Sequence, residues 1–175
     1  EYTAPTENDP YTLVFKAVDK AGNLSTGSQT IKVQKDTTKP ESTIALYGTN
    51  GGNDYINIAD AYKVNALVTF TRNNVGVKTL TFTGLSTAVG ASVEYSSDGG
   101  INYSAVSGTS ITGQVITLPA SSNYTTGILR VTGLTVATNA GAANETKPIT
   151  VTLTDAIGNE QAPAATDTII QDRTP

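Results

Sequence analysis

The chain has 175 residues, of which 38% are apolar and 6% aromatic, and it contains no Cys, His, Met or Trp. Its net charge is −4, with 11 basic and 15 acidic residues. Clusters of Lys and Arg carry the affinity for nucleic acids and anionic membranes, and their absence argues against both partners. Without Cys there are no disulfides or thiolates, and without His the Ser-His-Asp and Cys-His catalytic systems are excluded. No apolar run approaches the roughly 20 residues of a membrane helix. We therefore predict a protein that is not an enzyme and does not span a membrane.

The first predicted elements form a pair of strands with a turn between them. Apolar and polar residues alternate over residues 11–17, which is typical of a half-buried strand. A D-x-x-G-N turn follows at residues 19–23, and a segment rich in Thr, Ile and Val then leads to Pro40. Pro and Gly end regular structure, so we predict two strands followed by a linker.

The rest of the chain is predicted to consist of short strands, because turn residues interrupt alternating segments at short intervals. These strands are predicted at 42–48, 63–71, 77–84, 91–97, 101–106, 113–118, 126–136, 149–153 and 165–171. Asp98-Gly99-Gly100 is predicted to be a hairpin turn, because glycine adopts a positive φ without strain. Residues 48–60 and 138–144 are predicted to be long loops. No segment has a helical period, so the pattern indicates a β-sandwich or barrel.

The sequence repeats itself at an offset of 136 residues. Asp19-Lys20-Ala21-Gly22-Asn23 returns as Asp155-Ala156-Ile157-Gly158-Asn159. The linker D-T-T-K-P at residues 36–40 returns as D-R-T-P at residues 172–175, with one residue dropped. A fixed offset indicates an array of like units, and this one is long enough for a whole domain.

The repeat predicts how the chain is divided. Residues 1–36 would be the last strands of a preceding domain, and residues 37–175 would be one complete unit with its linker. Thirty-odd residues cannot bury a core of their own, whereas the longer part can bury roughly two thirds of its unfolded surface. We therefore predict that residues 1–36 do not fold alone, because an isolated hairpin is marginal in water.

The segment Y-T-L-V-F-K-A-V-D-K-A-G-N-L-S at residues 11–25, followed by I-K-V-Q-K-D-T-T-K-P at residues 31–40, resembles the last two strands and linker of bacterial immunoglobulin-like (Big-type) domains. Residues 149–175 resemble them to a lesser degree, and residues 41–148 share only a general β character. The resemblance implies an antiparallel immunoglobulin-like β-sandwich in a tandem array. Such arrays occur in surface adhesins, biofilm proteins and surface-layer proteins, which implies an extracellular location on a bacterial cell.

The candidate metal ligands are carboxylates. Asp54 and Asp60 lie in the first long loop, Asp36 lies in the linker, and Asp19 and Asp155 begin the two D-x-x-G-N turns. Ca²⁺ takes six to eight oxygen ligands, which such loops can supply. The resemblance implies the same ion, since many such adhesin modules hold Ca²⁺ between domains. The alternative is that each Asp caps its own turn, and it applies above all to Asp19 and Asp155.

These observations predict a structural spacer (extender) domain in a large bacterial surface protein, which supports cell adhesion or surface assembly and is stiffened by calcium. Its partners would be neighbouring immunoglobulin-like domains, together with a surface lattice or a host ligand. Two alternatives remain open: a carbohydrate- or protein-binding module, and an accessory domain of a secreted hydrolase. The binding module would need exposed aromatic side chains, for which the candidates are Tyr47, Tyr55, Tyr62, Tyr95, Tyr103 and Tyr124.

Overall fold

The computed structural model describes residues 11–33, 35–49, 55–57, 62–72, 75–120, 124–137 and 144–172, and these residues form β-strands and loops. The chain divides into two compact units, Glu1–Thr37 and Thr38–Pro175. Among the described residues, no helix has the length and apolar character needed to cross a membrane.

The described residues of the first unit form an antiparallel hairpin. Strand β1 (Tyr11–Phe15) pairs with β2 (Gln29–Val33), and Tyr11 lies opposite Val33. Beyond β1, Val18 and Leu24 form an isolated bridge across the D-x-x-G-N turn. Every residue of β2 is exposed.

The second unit contains the remaining strands. They are β3 (Glu41–Gly48), β4 (Tyr55–Ile56), β5 (Lys63–Thr71), β6 (Val77–Thr83), β7 (Leu85–Thr87), β8 (Ser92–Ser96), β9 (Ser104–Ala105), β10 (Ser110–Thr112), β11 (Val115–Thr117), β12 (Thr126–Val136), β13 (Glu145–Asp155) and β14 (Ala165–Gln171).

These strands form the two sheets of a sandwich. The first sheet has the order β3-β5-β12-β8-β9, with β7 also paired to β12, and the second has the order β10-β11-β6-β13-β14-β4. Among the strands that the structure describes, every pair is antiparallel except β14 with β4. The path β3-β5-β12-β8 against β6-β13-β14 corresponds to the ABED and CFG strand order of immunoglobulin constant domains. The predicted all-β immunoglobulin-like sandwich is therefore confirmed, whereas the tandem array stays a prediction.

The chain enters this sandwich at one end and leaves it at the other. Glu41, at the start of β3, lies opposite Thr71 at the end of β5, and a short connection keeps Val77 at the same end. We call this the upstream end. Gln171, at the close of β14, lies opposite Glu145 at the start of β13. Because β13 runs antiparallel to β6, Gln171 lies at the opposite, downstream end.

The core lies between the two sheets and is built by alternation along the strands. In β13, Ile149, Val151 and Leu153 are fully buried, whereas the threonines between them are partly exposed. Phe70 and Phe82, from the first and second sheets, fill the interior. Each fully buried side chain of this size contributes roughly 1.5–3 kcal/mol of hydrophobic free energy.

Several predicted strands match the structure and others differ. The strands predicted at 63–71, 126–136 and 165–171 have those bounds in the structure. The strand predicted at 101–106 is reduced to Ser104–Ala105, because a loop held by hydrogen bonds takes its first residues. Strands β4, β7 and β10 were not predicted, since two or three residues are too few for a period to show.

The β1–β2 hairpin has the same register as the β13–β14 hairpin. The corresponding residue pairs, at the offset of the sequence repeat, are Tyr11–Val33 with Lys147–Ile169 and Phe15–Gln29 with Val151–Ala165. The bridge between Val18 and Leu24 likewise corresponds to one between Thr154 and Glu160. The sequence repeat is therefore also a repeat of backbone structure across this hairpin.

Candidate functional site

The first D-x-x-G-N turn is held by its leading carboxylate. Oδ1 of Asp19 accepts hydrogen bonds from the backbone N of Ala21 (2.8 Å) and Asn23 (2.9 Å), and Oδ2 accepts one from Nδ2 of Asn23 (2.9 Å). Gly22 has a φ of 87°, which glycine adopts without strain. The hydrogen bond from the Asn23 side chain is the main cause that lowers the pKa of Asp19. Asp19 therefore acts as a turn cap.

The second D-x-x-G-N turn has the same hydrogen bonds. Oδ1 of Asp155 accepts from the backbone N of Ile157 (3.0 Å) and Asn159 (2.8 Å), and Oδ2 accepts from Nδ2 of Asn159 (3.0 Å). The backbone N of each leading Asp also donates to the carbonyl of the Asn four residues later, at 3.0 Å in both turns. What differs is the surroundings, since Asp155 is buried and Asp19 is exposed.

Asp155 forms a buried ion pair that joins the two sheets at the upstream end. Nε of Arg72, which directly follows β5, donates to Oδ2 of Asp155 at 2.9 Å, and both side chains are at most 1% exposed. Burial acts to raise the pKa of Asp155, but the hydrogen bonds from Asn159, Arg72 and Ile157 outweigh it, so the pKa is lowered. Arg72 could not be recognised from the sequence, because a single basic residue after a strand has no local pattern.

The structure describes three of the five predicted metal ligands. Asp54 and Asp60 lie outside the described residues, and Asp36 is partly buried in the first unit. Across the described ranges, no three acidic, His or Cys side chains form a group that could hold a metal ion. The contacts of Asp155 fit a turn cap and an ion pair better than a calcium ligand, because a guanidinium already supplies its positive charge. The assignment of calcium to these carboxylates stays a prediction.

A third turn of this kind was missed in the sequence. Oδ1 of Asp98 accepts from Ser96 Oγ (2.6 Å), Ile101 N (3.1 Å) and Asn102 N (3.0 Å), and Oδ2 accepts from Asn102 Nδ2 (2.7 Å). These hydrogen bonds, first that from the Asn102 backbone, lower the pKa of Asp98 strongly. Strands β8 and β9 pair antiparallel with Tyr95 opposite Ser104, so the predicted hairpin is present and Gly99 and Gly100 have the expected positive φ. Its connection is a longer loop over residues 97–103, and the second strand does not begin at Ile101 as predicted. The signal was an Asn four residues after the Asp.

The outer face of the first sheet carries a cluster of aromatic and charged side chains. Arg130 of β12 points outward, since its neighbours Leu129 and Val131 are fully buried. Its Nε donates to Oε2 of Glu94 on β8 at 2.7 Å, and its Cζ lies 4.0 Å from the centroid of the Tyr103 ring. The ion pair is about one-third exposed. A guanidinium over a tyrosine ring is a cation–π contact.

Tyr47 of β3 belongs to the same cluster. Burial raises the pKa of Tyr47, and the charge of Arg130 acts in the opposite direction. We call Tyr47, Glu94, Tyr103 and Arg130 the tyrosine face. It offers ring surface, hydroxyl groups and a charged pair, which are groups that bind sugars and peptides by stacking and hydrogen bonding.

The other candidate tyrosines are placed differently. The rings of Tyr95 and Tyr124 lie 4.5 Å apart, and both side chains pack against the core, as does Tyr62. Tyr55 is 52% exposed on β4, in the second sheet. Only two of the six candidates, Tyr47 and Tyr103, therefore share one surface with Arg130.

The strand order and the buried hairpin turn define the second unit as an immunoglobulin-like β-sandwich module. No protein-family model and no curated protein matches the chain. Among solved structures, the chain is similar to the collagen-binding domain of the Erysipelothrix rhusiopathiae surface protein RspB, with a TM-score of 0.43 and 11% sequence identity. The likeness covers 98% of this chain and 59% of that one. It is too weak to carry an argument about function.

Proposed function

We propose that the second unit is a spacer (extender) domain of an extracellular bacterial surface protein, joined in series to domains of the same kind and supporting cell adhesion or surface assembly. The path of the chain carries this proposal. The chain enters at Glu41 at the upstream end and leaves at Gln171 at the downstream end. Units with this path can be joined end to end without the chain doubling back.

Two further observations support the proposal. The β1–β2 hairpin repeats the register of the β13–β14 hairpin at the offset of the sequence repeat, as expected for serial units. The bacterial surface location rests on the resemblance of residues 11–40 to Big-type domains. That the chain is not an enzyme stays a prediction from its composition.

Chains of one, two and three joined copies of residues 37–172 would test the spacer role. Asp172 corresponds to Asp36 in the repeat, so each junction keeps the natural order of residues. We expect the maximum dimension from small-angle X-ray scattering to grow by an equal increment with each copy. As a control, copies joined by Gly-Ser linkers of the same length as the natural linker should give a broader distribution of interatomic distances, because such linkers are flexible. A maximum dimension that does not increase with copy number would contradict the spacer role.

We further propose that calcium stiffens such an array through Asp36, Asp54 and Asp60. What supports it is the chemistry of the donors, since carboxylates in a linker and a Gly-rich loop supply the oxygen atoms that Ca²⁺ prefers. Carboxylates brought close together without a cation repel one another. Tyr55, which follows Asp54 in the sequence, pairs with Ile170 at the downstream end. The linker that leaves this end carries Asp172, the counterpart of Asp36 in the repeat. In an array, the linker carboxylate nearest to Asp54 and Asp60 would therefore be the one at the Asp172 position. The ion would add both stability and rigidity at that junction.

Millimolar Ca²⁺ should raise the melting temperature of the protein more than Mg²⁺, which demands stricter geometry. A ligand bound only by the folded form stabilises it by about 2.7 kcal/mol at a hundred times its Kd. The Asp54→Ala and Asp60→Ala variants should lose most of this shift, whereas Asp19→Ala, which alters a turn cap, should keep it. Identical melting curves in Ca²⁺ and in EDTA would refute the calcium proposal.

A second candidate function is binding of carbohydrate or protein, and the tyrosine face favours it. Immobilised glycans and extracellular-matrix proteins are suitable probes. The Tyr103→Ala variant should lose binding, whereas Tyr55→Ala, an exposed residue of the other sheet, should retain it. Equal binding by both variants would exclude this face. The accessory domain of a secreted hydrolase stays an alternative that a catalytic domain in the same protein would support.

A further inference from the structure

The β1–β2 hairpin presents an apolar face to solvent. The strand register places Leu13, Phe15, Ile31 and Val33 on one side of the hairpin. Phe15 is 53% exposed, Ile31 52% and Val33 38%. We call these four residues the hairpin face. Neighbouring large apolar side chains with this much exposure mark an interaction surface.

The second unit shows what covers this face when the sandwich is complete. At the repeat offset, Leu13, Phe15 and Val33 correspond to Ile149, Val151 and Ile169, which are all fully buried. They belong to the core that the second sheet forms with the inward side of the first. The interface between the two sheets of the second unit therefore indicates what kind of surface would cover the hairpin face.

The turn at the end of the hairpin carries a second sign of a missing partner. Asp19 and Asp155 make the same hydrogen bonds within their turns. Oδ2 of Asp155 additionally accepts a hydrogen bond from Arg72, which comes from the opposite sheet. Asp19 is exposed instead. In the second unit, the sheet that covers β13 and β14 brings Arg72 to Asp155. A sheet that covered the hairpin face in the same way would bring a residue at the position of Arg72 close to Asp19.

We propose that residues 11–33 are the last hairpin of a further immunoglobulin-like sandwich, whose covering sheet has the β3-β5-β12-β8 order and carries a basic residue that pairs with Asp19. This inference rests on the serial arrangement in the proposed function. It adds the chemistry of the partner surface: apolar side chains against the hairpin face, with one cation at the end where the turn lies.

One contact of the second unit predicts where the covering sheet would differ from the first sheet of that unit. Oδ2 of Asp167 on β14 accepts a hydrogen bond from the backbone N of Leu46 on β3 at 2.8 Å. Ile31 stands at the corresponding position of β2. Ile31 has no carboxylate to accept a hydrogen bond from the first strand of the covering sheet. At this position we therefore expect an apolar contact in place of the hydrogen bond between Leu46 and Asp167.

A hybrid chain tests the inference. Residues 37–146 are placed ahead of residues 11–175, so that the covering strands of the second unit precede the first hairpin in its natural register. Amide hydrogen exchange of residues 12–33 is then compared with that of the original chain. We expect exchange slower by at least about 100-fold in the hybrid, because the hairpin becomes part of a cooperative core. The Phe15→Asp variant of the hybrid should lose this protection.

Two variants keep the test decisive. In the hybrid, Ile31→Asp restores an acceptor for Leu46 of the added copy, so it should fold even if the unmodified hybrid does not. Asp19→Asn should strongly weaken protection of the hairpin in the hybrid, where the added Arg72 would face it, and have only a small effect in the original chain, where it alters a turn cap. If neither the hybrid nor its Ile31→Asp variant protects the hairpin, the inference is overturned. The joined copies of residues 37–172 lack this hairpin, so their elongation tests the spacer role separately.

Discussion

The Arg72→Met variant should lose about 3–5 kcal/mol of unfolding free energy, because Asp155 would remain buried without its guanidinium. Both side chains are essentially inaccessible to water, so neither charge can be solvated when the other is removed. Urea denaturation of the second unit, followed by circular dichroism, measures the loss. A change below about 1 kcal/mol, typical of exposed ion pairs, would contradict the buried pair.

The repeat supplies a matched control for the carboxylate. Asp155→Asn removes the charge from the buried turn, and Asp19→Asn makes the same change in the exposed turn, which has the same internal hydrogen bonds. We expect a large loss of stability from the first and a small one from the second. The double variant Arg72→Met with Asp155→Asn should cost less than the sum of its single changes, because the two side chains interact directly.

The same pair has a pH signature. The pKa of Asp155 is lowered in the folded state, so its contribution is present above the unfolded value of about 3.9 and is lost as the pH falls through the folded value. The Asp155→Asn variant has no such group. Its deficit in melting temperature should therefore shrink as the pH falls below about 4. A deficit that stays constant from neutral to strongly acidic pH would mean that the charge of Asp155 does not contribute.

The second large effect is expected from Gly84→Ala, at the junction of β6 and β7. Gly84 has a φ of 86°, and a Cβ there would overlap the backbone carbonyl oxygen of Pro148 on β13. The left-handed conformation costs roughly 1–2 kcal/mol for alanine, and overpacking costs a further roughly 1–3 kcal/mol. The backbone of Pro148 cannot rotate away from the new Cβ as a flexible side chain could. We therefore expect a loss of about 2–5 kcal/mol in thermal or urea unfolding.

Gly113→Ala separates the two contributions to this loss. Gly113 also has a positive φ, of 58°, but a Cβ there would meet no atom within 4 Å. This variant should show the conformational cost alone, about 1–2 kcal/mol. Equal losses at the two positions would mean that the close approach of Pro148 does not matter.

The long strands could be predicted from the sequence because their environment is regular. In β13, Ile149, Val151 and Leu153 are buried and the threonines between them are partly exposed, so apolar and polar residues alternate along the chain. The short strands β4 and β7 could not be predicted, because their positions depend on pairing with β14 and β12. Hydrogen bonds between distant segments leave no local pattern.

Only those parts of the candidate site whose residues are close together in the sequence could be predicted. The turns of Asp19 and Asp155 depend on residues within four positions, and the sequence contains all of them. Arg72 lies far from Asp155 in sequence, and only the closure of the sandwich brings the two together. The tyrosine face depends on strand register in the same way. Tyr95 pairs with Leu129 and faces the core, whereas Arg130, one position further, faces outward toward Tyr103.

The opposite positions of Glu41 and Gln171 determine how the domain would carry mechanical tension. A force applied through the two ends of the chain pulls β3 and β14 along their own axes, in opposite directions. The β3–β5 ladder, from Glu41 opposite Thr71 to Gly48 opposite Val64, would then be loaded in shear, with its hydrogen bonds sharing the force. Peeling, in which the bonds break one after another from a free end, would need both ends of the chain on the same side. Pulling along the strands would thus load many hydrogen bonds at once.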